Sequence, residues 1–368
     1  MRIAYPTVTN MGLGNNLITV AKAHLIADSC HMTYQPPTWP SNEHVTPPTK
    51  NGYGYYFPTT LTDRVRLQVF HQLRRVQQKL KVPVGPPVLN FGRADYERLG
   101  VEDIGEACAA YLEQRGLNDP ATSAVVTTSG MWGGYAGIRR ARTWLRSLLF
   151  SHADTRRRLE QIQARTAGRL RVAVNIKMGS YVPTGTRIVA GERCVRLPLE
   201  WYTRVCRLIR EASDCNFILV TDGTREELAP FLDEIQPVHC IGESYVDLLG
   251  LLLLMHADLV VCSNSTYSRL GCFLNDRPYV WIADTLMHDP TGRYGYLWKD
   301  NGTPMPQGSS KPVPQGEEDS AGVRRCFALN ADVSALPAGL VRYVVSGGKL
   351  PIEIPDDLLY GDPVRLLG

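Results

Sequence analysis

The 368-residue sequence has no apolar run that could span a bilayer. Its greasiest stretch, Leu248 to Met255, is broken by Gly250 and falls far short of the roughly 20 residues a membrane helix needs. Nine cysteines are present, an odd number scattered singly with no metal-ligand spacing. That argues against a disulfide framework or a zinc site and for reduced thiols, with Cys262 and Cys272 as core residues. Charge of one sign is also lacking: 40 Lys and Arg against 36 Asp and Glu leave a net +4. A dedicated nucleic-acid binder is not expected from that balance, whereas acidic ligands fit it. Met1-Arg2 leads straight into Ile-Ala-Tyr-Pro without a charged leader, so a soluble, cytoplasmic protein is expected.

What the chain does have is alternation. Strand patterns at Arg2 to Val8, Val88 to Phe91 and Ala124 to Thr128 are interleaved with helical patterns at Asn15 to Ala27, Asp63 to Leu80 and Ile104 to Glu113. The Asp63 to Leu80 helix is expected to bury Val65, Val69, Leu73, Val76 and Leu80. A helix at Arg139 to Phe150 is followed by the charged segment 151–168, with Arg156, Arg157 and Arg158, which reads as a hinge. A second series then begins: strands Leu170 to Ile176, Phe217 to Thr221, Val238 to Ile241 and Leu259 to Cys262, helices Leu199 to Ala212, Glu226 to Glu234 and Tyr245 to His256. Alternation of this kind implies parallel sheets. The expected domains are 1–150, 169–330 beyond the hinge, and a closing helix with an irregular tail over 331–368. Residues 35–58 and 299–317 read as long loops.

Chemistry concentrates where strands end. After the apolar strand Leu259 to Cys262, five polar residues, Ser263, Asn264, Ser265, Thr266 and Ser268, surround Tyr267 at the start of a helix. A strand's carboxyl end meeting a helix's amino end is where open α/β sheets bind ligands and where phosphate is favoured. The alternative is that Ser265 or Thr266 only caps the helix. Asn175-Ile176-Lys177-Met178-Gly179-Ser180 places a cation beside a glycine at another strand end, suited to a phosphate held near the backbone. An exposed loop lysine is the plainer reading. In the first crossover, Gly12-Leu13-Gly14-Asn15-Asn16 lets the backbone turn tightly, with Asn15 or Asn16 available as a cap, though an ordinary turn would look the same. Ser129 to Tyr135 is a further glycine-rich turn, in which Trp132 and Tyr135 either stack on an acceptor or pack against the opposing domain.

Asn264-Ser265-Thr266-Tyr267-Ser268 resembles the Asn-Ser-Ser-Phe-Ser motif of bacterial α-1,2-fucosyltransferases and, more loosely, the third motif of the α-1,6- and protein O-fucosyltransferases. Gly12-Leu13-Gly14-Asn15-Asn16-Leu17 is similar to the Gly-Leu-Gly-Asn-Gln-Leu opening of the former. Val174-Asn175-Ile176-Lys177-Met178-Gly179-Ser180 is similar to His-x-Arg-x-Gly-Asp, with Asn175 on the histidine, Lys177 on the arginine, Ser180 on the aspartate and Gly179 unchanged. Phe217 to Gly223, with Thr221 and Asp222, resembles the family's Phe-Ser-Asp strand end.

The resemblance implies an α/β fold of GT-B type, two Rossmann-like parallel-sheet domains facing across a cleft. It implies a metal-independent, inverting glycosyltransferase that moves fucose or another hexose from a nucleotide sugar, GDP-sugar favoured, to an acceptor hydroxyl. No cofactor and no metal residue are expected, and no Asp-x-Asp metal motif occurs. Lys177 falls where the diphosphate is neutralised, aided by Ser265, Thr266 and Ser268, with Asp222 and Asp247 for the nucleoside and Gly12 to Asn16 closing the cleft. Arg187 and Arg193, in an insertion after the first motif, are the reserve cations. Because lysine lacks arginine's fork, a degenerate sugar-nucleotide or glycan-binding module is the alternative, and an epimerase on a similar fold a third reading. The acceptor is left open as a glycan, a protein or another hydroxyl, nucleic acid not being excluded. Golgi members of the family normally begin with a membrane anchor, so the resemblance further implies a bacterial or viral source.

Overall fold

The computed structural model describes residues 2–9, 12–39, 53, 56–57, 60–63, 65, 68–69, 72, 85–179, 196–241, 246–282 and 326–352. Ser180, Arg187, Arg193, the 299–317 loop, most of 35–58 and the tail beyond 352 lie outside the described residues. The chain divides into two compact units, Met1–Leu148 and Leu149–Gly368.

The first unit is built on a four-stranded parallel sheet in the order β2-β1-β4-β3. Its strands are β1 (Arg2–Thr7), β2 (Thr33–Tyr34), β3 (Val88–Asn90) and β4 (Ala124–Ser129). Helix α1 (Leu13–Ser29) follows β1, and α2 (Arg93–Leu99) and α3 (Ile104–Glu113) follow β3. The pattern of α1 suggests one buried stripe, Leu17, Val20, Ala21 and Leu25, but the helix is buried almost all round, Asn16, Thr19 and Lys22 included. Where α3 crosses α1, Gly105 permits the approach: a Cβ there would lie 2.7 Å from the Leu25 carbonyl oxygen. Beyond β4 come α4 (Gly134–Gly137), a 3-10 turn (Arg139–Ala141) and α5 (Arg142–Leu149), the last running across the unit boundary.

The expected apolar face of the Asp63 to Leu80 helix is a correction. Residues 61–63, 65, 68–69 and 72 are helical, yet Leu61, Val65 and Val69 are 78%, 51% and 48% exposed. Periodicity fixes which residues share a face; burial also needs an element facing them. Leu73, Val76 and Leu80 lie outside the described residues.

The second unit carries a six-stranded sheet, all pairs parallel, in the order β10-β9-β8-β5-β6-β7. The strands are β5 (Leu170–Ile176), β6 (Cys215–Thr221), β7 (Val238–His239), β8 (Leu259–Val261), β9 (Tyr279–Ile282) and β10 (Cys326–Leu329). The hinge segment is largely a helix, α6 (Ala153–Arg165), with Thr155, Leu159 and Ile162 buried and its arginines outside. Helices α7 (Leu199–Ala212), α8 (Ala229–Ile235), α9 (Val246–His256) and α10 (Thr266–Leu274) alternate with the strands. The closing helix is short, α11 (Ala338–Val345), and is fastened by Tyr343, whose hydroxyl donates to the Asp258 carbonyl oxygen at 2.7 Å. Burial pushes the Tyr343 phenol up to about 12, so it remains a donor throughout the ordinary pH range.

Candidate functional site

Strand order locates the site. Counting outward from β5, the chain adds β6 and β7 on one side and then β8, β9 and β10 on the other, so the order reverses between β5 and β8. In doubly wound sheets of this order, ligands bind beyond the carboxyl ends of the strands that flank the reversal. Here those ends are Asn175 to Gly179 and Cys262 to Ser265.

Asn175 is 3% exposed and turns inward. Its Oδ1 accepts from the hydroxyls of Ser263 at 2.6 Å and Ser268 at 2.8 Å, and its Nδ2 donates to the Val220 carbonyl oxygen at 3.0 Å. Ser263 N donates to Ser268 Oγ at 3.1 Å, while Ser263 Oγ and Ser265 Oγ lie 2.9 Å apart. Ser265 is the amino-terminal cap of α10, accepting Ser268 N at 3.1 Å. Proton counting closes if Ser265 donates to Ser263 and Ser263 and Ser268 donate to Asn175. These serine hydroxyls are committed inside the protein, so capping describes Ser265. Asn264 and Thr266 in this loop are half-buried, and the Ser268 amide in the first turn of α10 is the one that Ser265 caps. The Asn264 Oδ1 atom is buried with no hydrogen-bond partner among the described residues. Beneath the loop the buried Cys262 and Cys272 thiols touch at 3.2 Å, as the core reading expects.

Lys177 and Asp222 follow β5 and β6 at the same level, because Ile176 pairs with Thr221 in the parallel ladder. The Lys177 ammonium forms an ion pair with Asp222 Oδ2, and Met178 N donates to Asp222 Oδ1 at 2.9 Å. Thr221 Oγ1 accepts from Gly223 N at 2.9 Å. A residue that the sequence does not advertise, Arg196, donates from Nε to the Met178 carbonyl oxygen at 3.2 Å and pairs with Glu227 at 2.9 Å. Glu227 also accepts from Thr224 N; that amide, with Arg196 adding to it, holds the carboxyl below its usual range. The only local hint of Arg196 is its place just before Leu197-Pro198, which opens α7.

Asp247 lies in the first turn of α9, and its backbone carbonyl accepts from the Tyr267 hydroxyl. Tyr267 thus packs on α9, and a Cβ on Gly250 would lie 2.7 Å from both the Tyr267 hydroxyl and Val220 Cγ1. Beside them a narrow crevice is lined by Val220, Thr221, Cys240, Ile241, Leu249 and Leu253. Burial raises the Cys240 thiol above its usual range, leaving it a neutral wall of that crevice.

In the first unit the glycine loop caps α1 with Gly12, a correction to the expectation of an asparagine cap. Asn16 is one turn too far along the helix and instead reaches back to Thr9, accepting from its N–H at 3.1 Å and donating to its carbonyl oxygen at 2.9 Å. Gly14 and Asn16 are buried, Asn15 half-buried and Gly12 exposed. Trp132 packs within its own unit, against Phe91, Tyr96 and the Lys22 ammonium, which lies 3.4 Å from a ring centroid. Tyr135 is also buried.

Among the described residues, no group of three or more His, Cys, Asp or Glu could hold a metal ion, and no helix is long and apolar enough to cross a membrane.

No family model and no curated protein matches the chain. In structure it is similar to the fucosyltransferase NodZ from Bradyrhizobium, at 14% identity and a TM-score of 0.41 over 74% of this chain and 91% of that one. It is similar also to POFUT1 in complex with GDP-fucose, at 12% and 0.33 over 75% and 93%. A third likeness, at 11% and 0.34 over 99% and 92%, is to the glycotransferase of kitacinnamycin. Likeness at this level transfers no residue's role.

Proposed function

We propose that the chain is a glycosyltransferase of GT-B type whose second unit binds a nucleotide sugar, GDP-sugar by preference, and passes fucose or another hexose to an acceptor hydroxyl with inversion. The observation that carries this reading is that Lys177 and the amino end of α10 follow β5 and β8, the adjacent strands between which strand order reverses. A cation and the positive end of a helix dipole, set at two adjacent strand ends, suit a departing diphosphate. Asn264 supplies a buried acceptor still in need of a donor, as a ligand hydroxyl would provide. With these groups present the reaction needs no metal to neutralise the leaving group. Ser263, Ser265 and Ser268 act by shaping the loop around Asn175.

Calorimetry with GDP, UDP, ADP and dTDP tests the reading: one of them binds at micromolar to millimolar strength, and Lys177→Ala weakens that binding. No heat for any of the four overturns it. With donor and acceptor in hand, nucleotide release is expected to persist in EDTA; activity abolished by EDTA and restored by manganese would refute the metal-free mechanism. Product formed from UDP-sugar without any acceptor would instead favour an epimerase, and saturable binding without turnover the binding module.

A further inference from the structure

The residues around Lys177 form a tighter assembly than its chemistry alone calls for. Asp222 commits both carboxylate oxygens to the loop after β5, one to the Lys177 ammonium and one to the Met178 amide. The opposite face of that peptide is also held, since the Met178 carbonyl oxygen accepts from Arg196, itself anchored by Glu227. Gly179 closes the group. A Cβ at that position would stand 2.8 Å from Asp222 Cγ and 3.2 Å from Lys177 Nζ, so the glycine makes room for the ion pair. Gly223 is similarly tight, its Cβ position lying 2.7 Å from Met178 Cγ.

We propose that Asp222 is a positioning residue, which together with Gly179 holds Lys177 aimed at the donor diphosphate, and that it makes no contact with the nucleoside. This rests on the donor-site reading above. The reason is geometric: a lysine is a point charge on a flexible four-carbon stem, with no fork to define its direction. A cation fixed in advance needs less reorganisation as charge develops on the leaving group. Here the restraint comes from the neighbouring strand, set by the Ile176 and Thr221 register.

The experiment uses the full chain with Asp222→Asn, Asp222→Ala and Gly179→Ala. Asp222→Asn keeps an oxygen for Met178 N and removes only the charge. Lys177 labelling by acetic anhydride, followed by mass spectrometry, reports the ion pair without any assumption about substrate. Both Asp222 variants should speed labelling by about fivefold, the scale of a partly buried ion pair near 1 kcal/mol. Gly179→Ala should do the same by wedging the pair apart. In turnover, kcat should fall with little change in donor KM, because the donor's nucleoside is untouched.

If Asp222 reads the nucleoside instead, Asp222→Asn leaves labelling unchanged, raises KM and alters the preference among GDP, UDP, ADP and dTDP; that result overturns the proposal. Unchanged labelling in folded Asp222→Asn overturns it whatever the kinetics. Should Asp222→Ala fail to fold, the milder Asn variant and Gly179→Ala still decide. Should no nucleotide bind even the unmodified protein, the donor-site reading fails, while the labelling still says whether Asp222 holds Lys177.

Discussion

The two units place similar parts at similar points and use them differently. Each has a polar turn leading from a strand into a helix, each a buried asparagine bonded to that turn, and each a lysine near a strand end that is followed by glycine. In the first unit Lys22 is fully buried, donating to the Ser129 carbonyl oxygen at 3.0 Å and lying over Trp132. In the second, the Lys177 side chain is 22% exposed and pairs with the Asp222 carboxylate from the neighbouring strand. A lysine spent on its own backbone carbonyls shapes a loop. One held by a carboxylate at a strand end can add a phosphate to its partners. Strand order supports the difference, because a central reversal with three strands on either side belongs to the second sheet.

The sharpest way to break the comparison is to truncate the buried lysine. Lys22→Ala removes a fully buried stem and leaves Ser129 and Trp132 carbonyl oxygens short of a donor, so it should cost about 3 kcal/mol. Hydrogen exchange should show the loss in peptides of the first unit. A cost under about 0.5 kcal/mol would mean that Lys22 is dispensable to the loop and that burial misjudges its role.

Asn175→Ala comes next, at about 2 kcal/mol, confined to the second unit. It deprives Ser263 and Ser268 of their acceptor and Val220 of its donor. The serine hydroxyls can re-pair among themselves, which keeps the cost below that of Lys22. Nucleotide affinity should fall as well, because the loop before α10 loses its anchor. Stability lost with affinity intact would separate the hub from the site.

Asp103 offers a control within the first unit. It caps α3 by accepting from Glu106 N at 3.0 Å and takes two hydrogen bonds from Arg140, each 2.8 Å. Burial by itself would raise its carboxyl, but the Arg140 and amide bonds outweigh it and hold the group below its ordinary value. Stability from this source is therefore present above the unfolded value of 3.8 and is lost as pH falls through the lower folded one. Asp103→Ala should cost about 1 kcal/mol at neutral pH, and the gap from the unmodified protein should close in acid, as urea titrations at pH 7 and pH 3 would show.

Much of the scaffold was legible in advance. Leu170 to Ile176, Ile104 to Glu113 and Leu199 to Ala212 fall where pattern places them, because a short β-branched run or a 3.6-residue stripe reports local geometry directly. The site was legible only in position. Asn175 meets Val220 from 45 residues away and Ser263 from 88, and no local pattern encodes such a hub. Gly179 was noticed as glycine, but its reason, the approach of Asp222 from the next strand, depends on register. Strands β9 and β10 went unread, though at four residues each they are longer than β8, which its apolar, β-branched run disclosed.

The smallest expected effect on stability is also the one that decides what the comparison means. Lys177→Met keeps the length of the stem and removes the charge. Asp222 retains the Met178 amide and becomes an anion with an open side toward solvent, its side chain being 23% exposed. Partly exposed ion pairs contribute little, so the change in unfolding free energy should stay within about 0.5 kcal/mol. Binding should behave oppositely. With the cation gone and the Asp222 carboxylate still in place, a diphosphate loses its attraction to this strand end, and nucleotide affinity should drop at least about tenfold, with the loss shrinking in high salt as charges are screened. The matched measurement is Lys22→Met, which should cost stability and leave nucleotide affinity to the second unit unchanged. If Lys177→Met destabilises as much as Lys22→Met while binding is intact, both lysines are structural, and the cation for the ligand must be sought elsewhere.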